Sequence, residues 1–166
     1  MEQTEAQRDP ELVRHAMRHW VTGVTIVTSA FNGERHGMTV SSFISVSLYP
    51  PLVLVSLETG ARTLEMVQQS GVFGVTLLNN DQQFISERFA GRQTEFMDRF
   101  EDLEVYTLET GVPLLAGGMA SFDCSVESAF EAGSHTIIIG KVLAVRISHE
   151  KKPLVYFDRA YRHLCD

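Results

Sequence analysis

The chain has 166 residues, with 14 Lys and Arg against 21 Asp and Glu, a formal net charge of −7. Hydrophobic residues make up 44% and charged residues 21%, the mix of one domain that buries a core, which excludes a disordered chain. The acidic balance excludes phosphate-backbone binding, which needs clustered Lys and Arg. Two cysteines, Cys124 and Cys165, are too few for a disulfide framework and point to a reducing compartment. No apolar run reaches the roughly 18 residues of a membrane helix, and the polar start has no signal-peptide pattern. Residues 1–166 are therefore expected to form one cytoplasmic domain away from membrane and nucleic acid, with residues 1–8 disordered.

A helix opens the order of elements. Asp9 suits an N-cap and Pro10 the first helical position. Leu12, Val13, Ala16, Met17 and Trp20 then share one face. Val21 to Ser29 is rich in Val, Ile and Thr, as strands are, and Asn32-Gly33 supplies a turn. Gly37 to Leu48 alternates strictly and predicts one strand: Met38, Val40, Ser42, Ile44, Val46 and Leu48 face one way, Thr39, Ser41, Phe43, Ser45 and Ser47 the other. Tyr49-Pro50-Pro51 breaks the ladder. Leu52 to Leu57 is nearly all apolar and reads as a strand buried on both faces.

A short helix is predicted over 61–69, with Leu64 and Val67 inward and Gly71 at its end. A strand follows over 72–78. Asn80 and Gln83 have the spacing of a capping box for a helix through Phe89 that stops at Gly91. Further strands are predicted over 120–130, 135–147 and 154–157. Strands of even size with three short helices point to a mainly β barrel; an α/β fold would need helices in the second half.

Most catalytic motifs are absent: there is no phosphate-binding loop, dinucleotide fingerprint or nucleophile elbow. His15 and His19, spaced i, i+4, lie beside the apolar stripe with no third ligand suggested, so no metal is expected. Two features carry more. The strand Gly37-Met38-Thr39-Val40-Ser41-Ser42-Phe43 is rich in hydroxyls, each of which needs a partner if buried. It reads either as a solvent-facing strand or as the bed of a polar ligand. Gly133-Ser134-His135 places an imidazole at the mouth of an apolar strand, as a surface residue or as a catalytic one.

On these features the sequence resembles the short-chain flavin reductases, which include the reductase components of two-component flavin monooxygenases. The matching stretches run from about Arg18 to Tyr161. They include 22–28, 37–43, Ser45-Val46-Ser47, Pro50-Pro51-Leu52-Val53, Gly71-Val72-Phe73, Phe89-Ala90, Asp98-Arg99-Phe100, Cys124, Gly133-Ser134-His135 with Gly140, and 153–157 with Tyr161.

The resemblance implies a six-stranded split β-barrel of Greek-key, FMN-binding type with a few short helices, a homodimer, and a flavin bound near the subunit interface. Carried over residue by residue, Gly37, Met38, Thr39, Val40, Ser41 and Ser42 would run along the flavin ring and ribityl chain. Ser56, Leu57, Glu58, Arg62 and Thr63 would follow the ribityl-phosphate end, with Arg62 and Thr63 on the phosphate. Phe89, Ala90, Gly91 and Arg99 would close the far side, with Tyr156 also against the flavin. The family's Gly-Asp-His motif stands here as Gly133-Ser134-His135, and His135 is expected to position the nicotinamide. The implied reaction passes a hydride from NADH or NADPH to FMN or FAD, with reduced flavin released to a separate oxygenase. Two other readings are a flavin carrier or sensor on the same barrel and an oxidase of pyridoxamine phosphate; the latter needs more basic phosphate ligands than Arg62, Arg92 and Arg99.

Overall fold

A computed structural model describes residues 9–91, 98–148 and 151–164. The disorder expected for residues 1–8 and the basic residue Arg92 lie outside the described residues. The chain is mainly β. Helix α1, Pro10–Met17, is capped by the Asp9 carboxylate, which accepts from the Glu11 N–H. Strands β1 (Thr22–Gly23), β2 (Thr25–Phe31), β3 (Glu34–Val40), β4 (Phe43–Leu48) and β5 (Pro51–Glu58) follow, then helix α2, Arg62–Ser70. Gly71 ends α2 at φ 72°, the left-handed conformation a glycine reaches without a Cβ penalty.

Strand β6 (Val72–Leu77) leads through a 3-10 turn, Asn80–Gln82, into helix α3, Gln83–Phe89. The capping box is made by Asn79 and Gln82, one residue before the pair expected from sequence. Strands β7 (Val105–Tyr106), β8 (Leu114–Leu115), β9 (Ala120–Ala132), β10 (His135–Ile147), β11 (Val155–Phe157) and β12 (Ala160–Arg162) complete the order.

Seven strands form one antiparallel sheet in the order β3-β2-β6-β9-β10-β5-β4, where six had been expected. No ladder joins β3 to β4, the two edges of this sheet. Yet the edges are consecutive in sequence. Only Ser41 and Ser42 separate Val40 from Phe43, a step of at most about 11 Å, so the sheet must curl until its edges approach there.

That bend overturns the single strand expected over 37–48. Met38 and Val40 pack inward, but so does Phe43, and Ile44, Val46 and Leu48 are exposed. The side-chain phase slips by one residue at Ser41-Ser42 because the chain leaves one sheet edge for the other. β5 differs as well: Val53, Val55 and Leu57 are buried while their neighbours are partly exposed, so it is buried fully on one face only. The inner face encloses Val27, Val55, Leu57, Phe73 and Ile138, with Leu64 and Val67 of α2 packed in. On the other side Ile26 and Leu78 pack with Ile85, Phe89, Phe100 and Leu154. This second core fixes α3 across β3, and a groove opens between them.

Candidate functional site

The groove begins with β3, whose faces alternate. Gly37 and Thr39 face α3: Thr39 Oγ1 donates to the Ser86 carbonyl at 2.6 Å, and Phe89 lies against Gly37. His36 turns the other way, with Nδ1 2.8 Å from Thr63 Oγ1 in the first turn of α2. Helix α2 has no side-chain cap at Ala61, so its first N–H groups stay open to an anion.

Arg99 ties the far wall together. Its Nη1 donates to the carbonyls of Gly37 at 2.8 Å and Phe89 at 2.9 Å. Arg62 reaches Glu34 at 2.7 Å, and Arg35 reaches Asp98 at 2.7 Å while lying 4.7 Å from the centre of the Phe100 ring.

Three cavities lie along this path. One of about 410 Å³ is lined by His36, Met38, Thr39, Ala61, Arg62, Thr63, Phe89, Ala90 and Arg99. It shares His36, Arg62 and Arg99 with a second of about 480 Å³, which adds Gly33, Glu34, Arg35, Asp98 and Phe100. A small one of about 130 Å³ is lined by Val24, Thr39, Ser41, Ser86, Ala90, Tyr156 and Tyr161. The two larger volumes fall within the roughly 300–1,000 Å³ of small-molecule sites.

The electrostatics are uneven. Burial first, then the charges of Arg99 and Arg62, push His36 down to about 4, against a smaller opposing effect of Asp98. Arg99 is also lowered, by burial and then by Arg62. Burial would raise Asp98, but hydrogen bonds from Arg35 and the Phe100 N–H, with nearby positive charge, hold it below the usual carboxylate range. Among the described residues Arg99 has no carboxylate partner. The groove thus joins a wall of Met38 and Phe89 to a cationic end.

Of the residues expected on the flavin, Met38, Thr39, Arg62, Thr63, Phe89, Ala90 and Arg99 line the cavity of about 410 Å³, and Ser41 and Tyr156 line the small one. Ser41 and Ser42 also face an apolar cavity of about 690 Å³ under Trp20, Val21 and Ile44. Gly37 contributes its carbonyl to Arg99, and a Cβ on Gly91 would stand 3.3 Å from Arg99 Nη2. Val40 and Leu57 are core side chains, so only their backbones are available to a ligand. Ser56 and Glu58 line none of these cavities.

The strand hydroxyls are largely engaged. Thr39 donates to Ser86 and Ser42 Oγ donates to the Ser56 carbonyl at 2.8 Å, leaving both as acceptors. His135 is exposed, opposite Glu58 in the β5–β10 ladder. Its Nδ1 lies 3.0 Å from Ser134 Oγ, and the Ser134 carbonyl accepts from the Thr59 N–H. This hairpin therefore packs on the loop that leads into α2.

Residues 17–164 match the flavin reductase like domain. The chain belongs to the flavin reductase-like family. It is 36% identical over 154 residues, 93% of this chain and 96% of the relative, to the reductase component of 4-hydroxyphenylacetate 3-monooxygenase from Thermus thermophilus. It is 36% identical over 171 residues, 99% of this chain and 94% of the relative, to an NADH-dependent flavin reductase of Rhodococcus sp. Among solved structures, the Streptomyces globisporus NADH:FAD oxidoreductase SgcE6, in complex with NAD and FAD fragments, superposes with a TM-score of 0.87 at 30% identity, covering 95% of this chain and 94% of that one.

Sequence reading of this flavin reductase-like chain missed His36 and Ser86, and gave no site role to Asp98 and Tyr161, which it quoted only as matching residues. Ser86 Oγ and Tyr161 OH are 2.8 Å apart across the small cavity. His36 was within reach, since the β3 alternation puts it on the Met38 face, one residue before the quoted motif. Ser86 and Tyr161 meet only through the fold.

Proposed function

We infer that this chain is a flavin reductase, which passes a hydride from NAD(P)H to FMN or FAD and supplies reduced flavin to a separate monooxygenase. The observation that carries this reading is the continuous groove in which the apolar Met38–Phe89 wall meets Arg62, Thr63 and Arg99. A flavin needs that pairing: an apolar bed for its ring and cations or N–H groups for its phosphate. Bound flavin supplies the hydride acceptor and NADH the hydride.

The chain's own work is binding and alignment. Arg62, Arg99, Thr63 and the open first turn of α2 hold the phosphate. Met38 and Phe89 flank the ring and exclude water. Thr39 and Ser42, their protons committed to backbone carbonyls, accept hydrogen bonds from the ligand, and the Ser41 hydroxyl lines the small cavity beside them. Tyr156, held edge-on to Tyr161 at 5.4 Å, closes the side. His135 positions the nicotinamide, and Ser134 Oγ, 3.0 Å from its Nδ1, orients the ring. Holding two rings together turns an encounter into a unimolecular step.

The chain works as a cytoplasmic homodimer on a split barrel, and the curled sheet supports the barrel. Edge strand β4 supports the dimer: Ile44, Val46 and Leu48 are exposed on it, Tyr49 just after it, and Leu143, Val145 and Ile147 on β10, apolar side chains on and near a sheet edge that a second copy would cover. Among the described residues no helix is long and apolar enough to cross a membrane. The test is the visible spectrum of the protein with FMN or FAD, before and after NADH without oxygen. Loss of the oxidised-flavin band supports a reductase; a bound flavin that NADH leaves unchanged supports a carrier.

A further inference from the structure

His36 stands in the wall common to the cavities of about 480 and 410 Å³, which Arg62 and Arg99 also line. Its Nδ1 is engaged by Thr63 Oγ1 at 2.8 Å, and Nε2 has no hydrogen-bond partner among the described residues. We propose that His36 is a conditional third cation of the anion seat: neutral while the seat is empty, it takes one proton from solvent when a phosphoryl group settles between Arg62 and Arg99. This rests on the reading of the groove as the seat of the flavin phosphate.

The surrounding charges set the condition. From α2 the ring meets Arg62 and Thr63, from the segment before Phe100 it meets Asp98 and Arg99, and on its own strand Glu34 and Arg35 flank it. Each carboxylate already has an arginine: Glu34 holds Arg62 and Asp98 holds Arg35. Arg99 instead donates to the carbonyls of Gly37 and Phe89, and among the described residues no carboxylate pairs with it. In the empty seat a half-buried imidazole beside two guanidinium groups stays neutral, pushed down to about 4. A phosphoryl group reverses that balance by countering both arginines and adding negative charge beside the ring. A permanent cation at this position would repel Arg62 and Arg99 whenever the seat was empty. Histidine avoids that repulsion, because its charge follows the ligand.

The test is calorimetric titration of FMN and of riboflavin into the full chain, wild type and His36→Gln, at pH 6.5 in two buffers of different ionisation enthalpy. The buffer dependence of the heat counts protons taken up. Subtracting the variant from the wild type cancels the ionisation of the FMN phosphate itself, whose second pKa lies at about 6. The expected result is close to one additional proton per FMN in the wild type and none with riboflavin. Relative to the variant, FMN affinity should also rise up to about tenfold per pH unit lowered. Equal proton counts in wild type and variant overturn the proposal. If FMN binds no more tightly than riboflavin, the phosphate seat itself is wrong, an outcome distinct from tight FMN binding without proton uptake. If His36→Gln also loses riboflavin, the wild-type count at pH 7.5, FMN minus riboflavin, decides alone, and zero or less overturns the proposal.

Discussion

Gly37 offers a sharp test of how β3 and α3 form the groove. A Cβ at this position would stand 2.8 Å from Phe89 Cε1, 3.0 Å from Cδ1 and 3.1 Å from Thr28 Cγ2. Restoring ordinary contact requires the Phe89 ring to retreat by about 0.7 Å. It has little room: Phe89 is 1% exposed and sits edge-on to Phe100 at 5.0 Å. Overpacking of this kind costs about 1–3 kcal/mol, and the lost unfolded-state freedom of glycine returns about 0.4–1 kcal/mol. Gly37→Ala should therefore lose about 1.3 kcal/mol, the middle of these ranges, a Tm drop of about 3–5 °C for a chain of this size. Thermal melts and urea titrations measure this, with Gly23→Ala as control. Nothing lies within 4 Å of a Cβ at Gly23, so that variant should stay within about 0.5 kcal/mol of wild type. Flavin affinity should fall with Gly37→Ala alone, because Phe89 lines the cavity. A Gly37→Ala protein with wild-type Tm and flavin affinity would refute the close approach of β3 to α3.

Arg99→Met should weaken FMN binding about 10–100-fold, the loss of one charge-assisted contact, while riboflavin affinity changes less; equal losses for both ligands would remove Arg99 from the phosphate. His135→Ala should raise the NADH KM or lower kcat and spare flavin affinity, and unchanged steady-state kinetics would take His135 out of the site. Between about 4 and 6.5, the folded and ordinary values of His36, the unfolded chain binds more protons than the folded one. Without ligand, the His36 contribution to stability is thus full above 6.5 and is lost as pH falls towards 4. The slope stays below about 1.4 kcal/mol per pH unit because the ring is only half buried. Melts across this range should show a shallower dependence in His36→Gln, and parallel curves would contradict the burial of the ring.

Local signals in the sequence were read well where local chemistry decides the structure. Asp9 and Pro10 start α1, Gly71 ends α2, and the β10 limits follow from its apolar run. The Ser41-Ser42 bend was hidden because alternation continues through it in letters while the chain crosses from one sheet edge to the other. Only long-range pairing of β3 with β2 and of β4 with β5 reveals the phase slip. The hydroxyl strand posed a choice between solvent and ligand. For Thr39 and Ser42 the structure adds backbone carbonyl partners contributed by α3 and β5. In the groove, Met38, Thr39, Arg62 and Arg99 were expected through the family resemblance and not through local signals; the structure sets all four around one cavity. His36 escaped notice as a lone histidine, since its meaning depends on Arg62 and Arg99 arriving from segments 26 and 63 positions away.

Direct hydride transfer within one small domain is the central claim. It is tested by mixing the flavin-loaded protein with NADH in a stopped-flow instrument without oxygen, using NADH and its C4-deuterated form. The account predicts rapid loss of the oxidised-flavin band, slowed by deuterium at the transferred position and by His135→Ala. A bound flavin whose spectrum NADH leaves unchanged would contradict it.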